Sequence, residues 1–216
     1  MSDKVNMKLV IEELHKAFEN LNITLFENEL PTPALLVQSR GNKKRVAGWC
    51  STNQIWVNPT YKELKYEINI VAEYLNRDKY SVIGTLLHEM VHLYNLTNNI
   101  KDVSRNGTYH NKKFKSAAEE HGLVVEYNSS IGWAVTNLKD ETKEIVDKMG
   151  LDEKAFTMAR VDFFNNNSEM NNGEGIKKVE SSSRKYVCPS CNTIIRATKE
   201  VKIICGDCGC EFELTL

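Results

Sequence analysis

Three residues in this chain have the types and the spacing to do metal chemistry together: His88, Glu89 and His92, within TLLHEMVHLYN at residues 85–95. On an α-helix, residues four apart are separated by about 400°, so they stand about 40° from alignment on one face. His88 and His92 can therefore aim two imidazoles at one ion, while Glu89 sits about 100° round, beside the metal and free of it. That pattern suits Zn²⁺ with two nitrogen ligands and a carboxylate able to take a proton from water. The bland alternative is a core helix carrying two satisfied histidines. Val82, Ile83, Leu86, Leu87, Met90 and Leu93 read as the buried flank of the same helix. Asn76-Arg77-Asp78 ahead of it offers N-cap chemistry.

A zinc ion that keeps one position for water needs a third protein ligand. His110 is the first histidine downstream, after the polar stretch Thr97–Thr108 with its Asn106-Gly107 turn, and is read as opening a second helix that ends at Gly122. Glu119 and Glu120 are carboxylate alternatives. His121 also qualifies by type but lies about 16 Å from His110 along the helix axis. His15, on the first helix, reads as a surface residue, and Cys50 as a small buried one with no chemistry. Tyr94, Tyr109 and Tyr127 are conceivable donors to a developing oxyanion, though packing roles are commoner.

A second metal signal stands near the C-terminus. Cys188-Pro-Ser-Cys191 and Cys205-Gly-Asp-Cys208 are two knuckles that suit a closed tetrahedral zinc site, with β-prone Thr193–Ile195 and Val201–Ile204 between them. Cys210 is a fifth thiol that could replace Cys208, although Cys205-x-x-Cys208 mirrors the first knuckle better. A ribbon of this size buries too little core to fold alone, so its metal is expected to make its fold. Lys177, Lys178, Arg184, Lys185, Arg196, Lys199 and Lys202 favour a nucleic-acid contact there, whereas Asp207, Glu211 and Glu213 oppose it.

The elements that must position these groups are legible in outline. Met7, Val10, Ile11, Leu14, Phe18 and Leu21 mark an amphipathic helix within residues 6–26, and the prolines of Leu30-Pro31-Thr32-Pro33 bring an extended chain after it. Ala34–Gln38, Arg45–Ser51, Gln54–Asn58 and Tyr66–Ile70 read as strands, with a polar turn over Pro59–Lys65. Lys139–Met149 is the clearest helix of residues 123–163, a region to which no chemistry is assigned. Asn165–Lys185 has linker composition. The reading is one main domain at 1–163, a linker at 164–185 and a zinc ribbon at 186–216.

With 216 residues, 41% hydrophobic and 26% charged, the chain can bury a core, and its net charge of −1 hides two basic runs. These are Arg40, Lys43, Lys44 and Arg45, then Lys112, Lys113 and Lys115, either of them a solvated face or a nucleic-acid footprint. No signal peptide or membrane span is evident, and five of six cysteines lie in the last 29 residues, spaced for metal rather than for disulfides, so a reducing, cytoplasmic setting is expected.

Taken together, YEINIVAEYL ahead of GTLLHEMVHLYN, then GTYHNKKF, then CPSC and CGDC, resemble the SprT-like zinc metallopeptidases, which include the spartan proteases. The likeness runs from the first helix to about residue 122 and includes the ribbon. It implies a small α+β zincin with zinc on His88, His92 and the histidine of the following helix, His110, and with Glu89 as the catalytic base. It also implies a second, structural zinc. The activity implied is cleavage of proteins, some of them crosslinked to DNA, with DNA as a regulating partner. Two other outcomes stay open: a regulatory zincin that cuts one partner protein, and a non-catalytic nucleic-acid-binding adaptor acting through the ribbon. Oligomeric state is not legible. An edge strand near Glu67–Ile70 could hold an extended substrate by backbone pairing.

Overall fold

A computed structural model describes residues 5–39, 41, 46–161 and 183–215. The basic run Arg40, Lys43, Lys44 and Arg45, and residues 164–182 of the expected linker 164–185 with Lys177 and Lys178, lie outside them. The chain divides into two compact units, Met1–Val161 and Asp162–Leu216.

In the first unit, helix α1 (Met7–Leu25) starts where the Asn6 side chain accepts the Leu9 N–H at 3.1 Å. Val10, Leu14, Ala17, Phe18 and Leu21 bury its apolar stripe. The helix stops before the prolines, because Glu27 and Asn28 turn left-handed and the buried Asn22 side chain clamps both the N–H and the C=O of Leu30.

Five short strands follow: β1 (Ala34–Gln38), β2 (Gly48–Cys50), β3 (Trp56–Asn58), β4 (Glu63–Lys65) and β5 (Glu67–Val71). Strand β5 lies in the centre of a sheet, parallel to β1 and antiparallel to β2. This overturns the edge reading of Glu67–Ile70: both sides of the strand are already paired, and every residue of it is buried. The edge strands of this sheet are β1 and β2. The polar turn expected over Pro59–Lys65 contains β4, paired with β3 in a separate hairpin. Glu63 and Leu64 of β4 are exposed, so no in–out alternation announced it.

Helix α2 (Lys79–Thr97) carries the His88-Glu89-x-x-His92 motif. Asp78 caps it, one carboxylate oxygen accepting the Ser81 N–H at 3.0 Å and the other its hydroxyl at 2.5 Å. Val82, Ile83, Leu86, Leu87, Met90 and Leu93 are fully buried, which is the flank the sequence indicated.

Beyond α2 come β6 (Val103–Ser104), β7 (Tyr109–His110), α3 (Lys112–Glu120), β8 (Leu123–Asn128), β9 (Gly132–Leu138) and α4 (Asp140–Lys148). The strands form one sheet in the order β6-β7-β9-β8. Gly122, at φ +90°, turns the chain out of α3 as expected of a C-terminal stop. His110 does not open that helix. Asn111 caps α3 by accepting the N–H groups of Lys113 and Phe114, which leaves His110 on a strand, its N–H donated to the Ile131 carbonyl at 3.0 Å.

The second unit holds β10 (Arg184–Val187), β11 (Ile194–Ala197) and β12 (Glu213–Thr215), all antiparallel, with β10 in the middle. Its small core is Tyr186, Cys188, Cys205 and Phe212. Val201–Ile204 forms no strand and contributes a single bridge, Ile204 to Glu211. The first unit is α+β, and the second holds only strands among its described residues. No helix among the described residues is long and apolar enough to cross a membrane.

Candidate metal centre

Two side-chain groups among the described residues bring ligand atoms together: His88, His92 and His110, and Cys188, Cys191, Cys205 and Cys208, each set within 4.8 Å. The Nε2 atom of His110 stands 3.2 Å from that of His88 and 3.0 Å from that of His92. Zinc–nitrogen bonds of about 2.0–2.1 Å at tetrahedral angles put neighbouring nitrogens about 3.4 Å apart, close to this spacing. The three histidines could hold a zinc ion. Burial holds His88 well below the usual imidazole range and lowers His110 to about 4, so both are neutral near pH 7. Coordination requires that neutral form.

The outer nitrogens settle the ring orientations. His92 Nδ1 meets a carboxylate oxygen of Asp102 at 2.7 Å, and Asp102 also accepts from Asn95 at 3.0 Å. Since a carboxylate only accepts, Nδ1 carries a proton, which leaves Nε2 as the nitrogen facing the shared point. Burial opposes charging of His92, but Asp102 and Glu89 outweigh it and raise its pKa. Asp102 itself is held low despite burial, by His92 and Asn95. His88 Nδ1 lies 3.0 Å from the Thr136 hydroxyl on β9. The buried His110 Nδ1 has no partner among the described residues. Phe114 is fully buried at the hub, its ring centre 4.6–4.7 Å from all three imidazoles.

Glu89 is only 5% exposed. Burial pushes its carboxyl up to about 7, with His92 and a backbone N–H from Cys50 pulling it down and Asp102 pushing it up. Gly48 makes room for it: a Cβ there would lie 3.0 Å from Glu89 Oε1 and 2.9 Å from the Asn69 carbonyl. Gly48 and Cys50 both belong to the edge strand β2. The Cys50 thiol is pushed up, by burial first and then by Glu89, Asp102 and Glu67, so it stays protonated and acts as a small filler, as read from sequence.

The alternatives for the third ligand fall elsewhere. His121 is a core residue, stacked on Phe26 at 4.3 Å, with Nδ1 on the Ala117 carbonyl. Glu119 pairs with Lys115, and neither Glu120 nor His15 joins a ligand group. Tyr94 packs on Phe26 and His121, while the hydroxyls of Tyr109 and Tyr127 meet each other at 3.3 Å.

Sequence reasoning missed four contributors: Asp102, Thr136, Phe114 and Gly132. Gly132, at φ +72°, pairs directly with His110, and a Cβ on it would lie 2.1 Å from the His110 carbonyl oxygen. Asp102 had a weak signal, a carboxylate in the loop between two candidate ligands; the others had none beyond residue type.

The chain matches the SprT-like family over residues 14–136, which takes in the helix motif, His110 and most of β9. It is a member of the SprT-like family. The match is longer than the quoted motifs suggested at its C-terminal side, and it stops before the cysteine unit. No curated protein and no solved structure matches this SprT-like chain.

In the cysteine unit, the Cys191 and Cys205 sulfurs are 3.7 Å apart, near the spacing of thiolates around one zinc, about 3.8 Å for bonds of about 2.3 Å. The backbone N–H groups of Cys191 and Ser190 help hold the Cys188 thiol down at about 6, whereas the neighbouring thiols push Cys208 and Cys210 up. Cys210 stands 3.4 Å from Cys188 but outside the four-sulfur group. The four cysteines could hold zinc as a ribbon.

Proposed function

We propose that this SprT-like protein is a zinc-dependent endopeptidase of the zincin type, with Glu89 as the general base. The observation that carries the reading is the buried Glu89 carboxylate beside three converging imidazoles, with no fourth protein ligand in their group among the described residues. A purely structural site has no use for such a base and fills its fourth position. Zinc held by His88, His92 and His110 would supply Lewis acidity, lowering the pKa of water towards about 7 and polarising a carbonyl.

The chain's own residues do the rest. Glu89 accepts the proton of the attacking water and returns it to the leaving amine, the role its buried position beside the three imidazoles suits. Asp102 and Thr136 fix the rings of His92 and His88. Strand β2, at the edge of its sheet, would receive an extended peptide, and the Cys50 N–H donated to Glu89 places that edge beside the carboxylate. Cys188, Cys191, Cys205 and Cys208 would hold a second, structural zinc.

Proteins are the substrate class, and proteins held on DNA are the first to try, because the family resemblance points there. The test is cleavage of a DNA-binding protein by wild type and Glu89→Gln at equal zinc content, with and without single-stranded DNA. Loss of cleavage of at least about a hundredfold in Glu89→Gln is expected, on the scale of general-base catalysis. Equal cleavage by both proteins would refute the assignment.

A further inference from the structure

The edge beside Glu89 does not end with β2. Strands β4 and β5 are separated by Tyr66 alone, and their backbone pairs on two sides. The Tyr66 carbonyl accepts the Ala34 N–H ahead of β1, whereas the carbonyls of Glu67 and Lys65 accept the N–H groups of Ser51 and Ile55. Alternate carbonyls of a strand point the same way, so β3 follows β2 along one edge, interrupted only at residues 52–54. One buried acid ties the two stretches in line. Glu67 receives the Trp49 indole N–H on one carboxylate oxygen at 3.2 Å and the Trp56 indole N–H on the other at 2.9 Å.

Strand alternation also fixes which side chains share the Glu89 face. Gly48, where an added Cβ would meet Glu89, stands opposite Ile70, and Cys50 opposite Ile68. Val57 stands opposite Leu64, which is four residues from Ile68 and so on the same face, about 13 Å along the strand. Val57 is 65% exposed and Leu64 50%. No charged residue occurs from Gly48 to Tyr61, and the outer sides of β2 and β3 have no strand partner among the described residues. Charge is the usual protection of an edge against pairing, and this edge lacks it. Backbone groups beside exposed apolar side chains fit an extended polypeptide, whose backbone pairs with the edge while alternate side chains meet Val57 and Leu64.

We propose that β2 and β3 form one peptide groove, in which Val57 and Leu64 select a large apolar side chain about four residues from the bond cut beside Glu89. The inference rests on the peptidase reading and names its substrate class: extended segments with apolar side chains at alternate positions.

Binding is measured apart from turnover. The zinc-loaded Glu89→Gln chain is titrated into two fluorescein-labelled twelve-residue peptides and followed by anisotropy. One alternates leucine with serine; in the other every leucine is serine. The leucine peptide should bind about tenfold tighter or more, the scale of burying a single leucine side chain. Adding Val57→Ser or Leu64→Ser should bring that ratio down to about twofold, and Val57→Ile should keep it. Val124→Ser, at an exposed valine on β8, should leave the ratio intact. A thermal melt confirms that each variant folds. Cleavage of both peptides by the wild type is then followed by mass spectrometry. The binding preference together with cleavage supports the groove and the peptidase reading. The same preference with neither peptide cut supports the groove and counts against Glu89 as the base. Cleavage of both peptides with equal binding overturns the groove and leaves Glu89 standing. The groove is equally overturned if neither peptide binds, or if the preference survives both serine variants. Sedimentation showing a dimer that Val57→Ser turns into a monomer also overturns it, since the occupant is then a second copy of the chain.

Discussion

Replacing Gly132 by alanine should disable the histidine centre without touching a ligand. The new Cβ would fall 2.1 Å from the His110 carbonyl oxygen, whereas Cβ contacts are essentially never found under 3.0 Å. Strands β7 and β9 must therefore part by about 1 Å, and zinc–ligand distances tolerate only about 0.2 Å. His110, whose Nε2 sits 3.0 and 3.2 Å from its partners, moves out of the set. Alanine at φ +72° also costs about 1–2 kcal/mol of backbone strain. Gly107→Ala separates the two effects, since Gly107 has φ +83° and nothing within 4 Å of the added carbon. Zinc affinity is read by competition with a chromogenic chelator, after a thiol-blocking reagent has released the zinc of the cysteine unit. Gly132→Ala should lose about tenfold or more in affinity at the histidine site, as outer-shell changes do, and Gly107→Ala none. If the two variants hold zinc equally and melt at the same temperature, the role given to Gly132 is wrong.

Gly48→Ala should push on Glu89 rather than on the metal: kcat falls while zinc content stays at the wild-type level, and a fall in zinc content instead would contradict the geometry. Asp102→Ala removes the acceptor that orients His92 and should weaken zinc about 10–100-fold, measured by the same competition; unchanged affinity would sink the orienting role. Acid should loosen α2. Asp78 titrates below the ordinary aspartate range through its bond from the Ser81 hydroxyl, and Asp147 through its bonds from Lys79 and Tyr80. Because the unfolded chain takes up these protons first, their contribution is complete above about pH 5 and is lost as pH falls through the folded-state values. Urea midpoints at pH 6 and pH 3 should therefore differ less in Asp147→Asn than in wild type, and equal differences would refute the linkage. Asp78→Ala should cost about 1 kcal/mol at pH 6, the worth of an N-cap, read from the same urea curves.

What the sequence determined by itself is what a few neighbouring residues settle. The 3.6-residue period puts His88 and His92 on one face of α2 and the apolar flank on another, whatever surrounds the helix. Asp78 as a cap, Gly122 as a stop and the two cysteine knuckles are equally local, each set by one turn of backbone. Longer-range facts were out of reach. His110 was legible as a type, yet that it sits on a strand was decided by Asn111 capping α3 and by the Ile131 carbonyl across the sheet. Glu67–Ile70 looked like an edge strand because its own residues do not reveal that β1 and β2 flank it. Asp102, Thr136 and Gly132 are ordinary loop and strand residues until folding brings an acceptor to His92, a hydroxyl to His88 and bare backbone to His110. Outer-shell contacts act through space between segments 10 to 48 positions apart, and no local period encodes them.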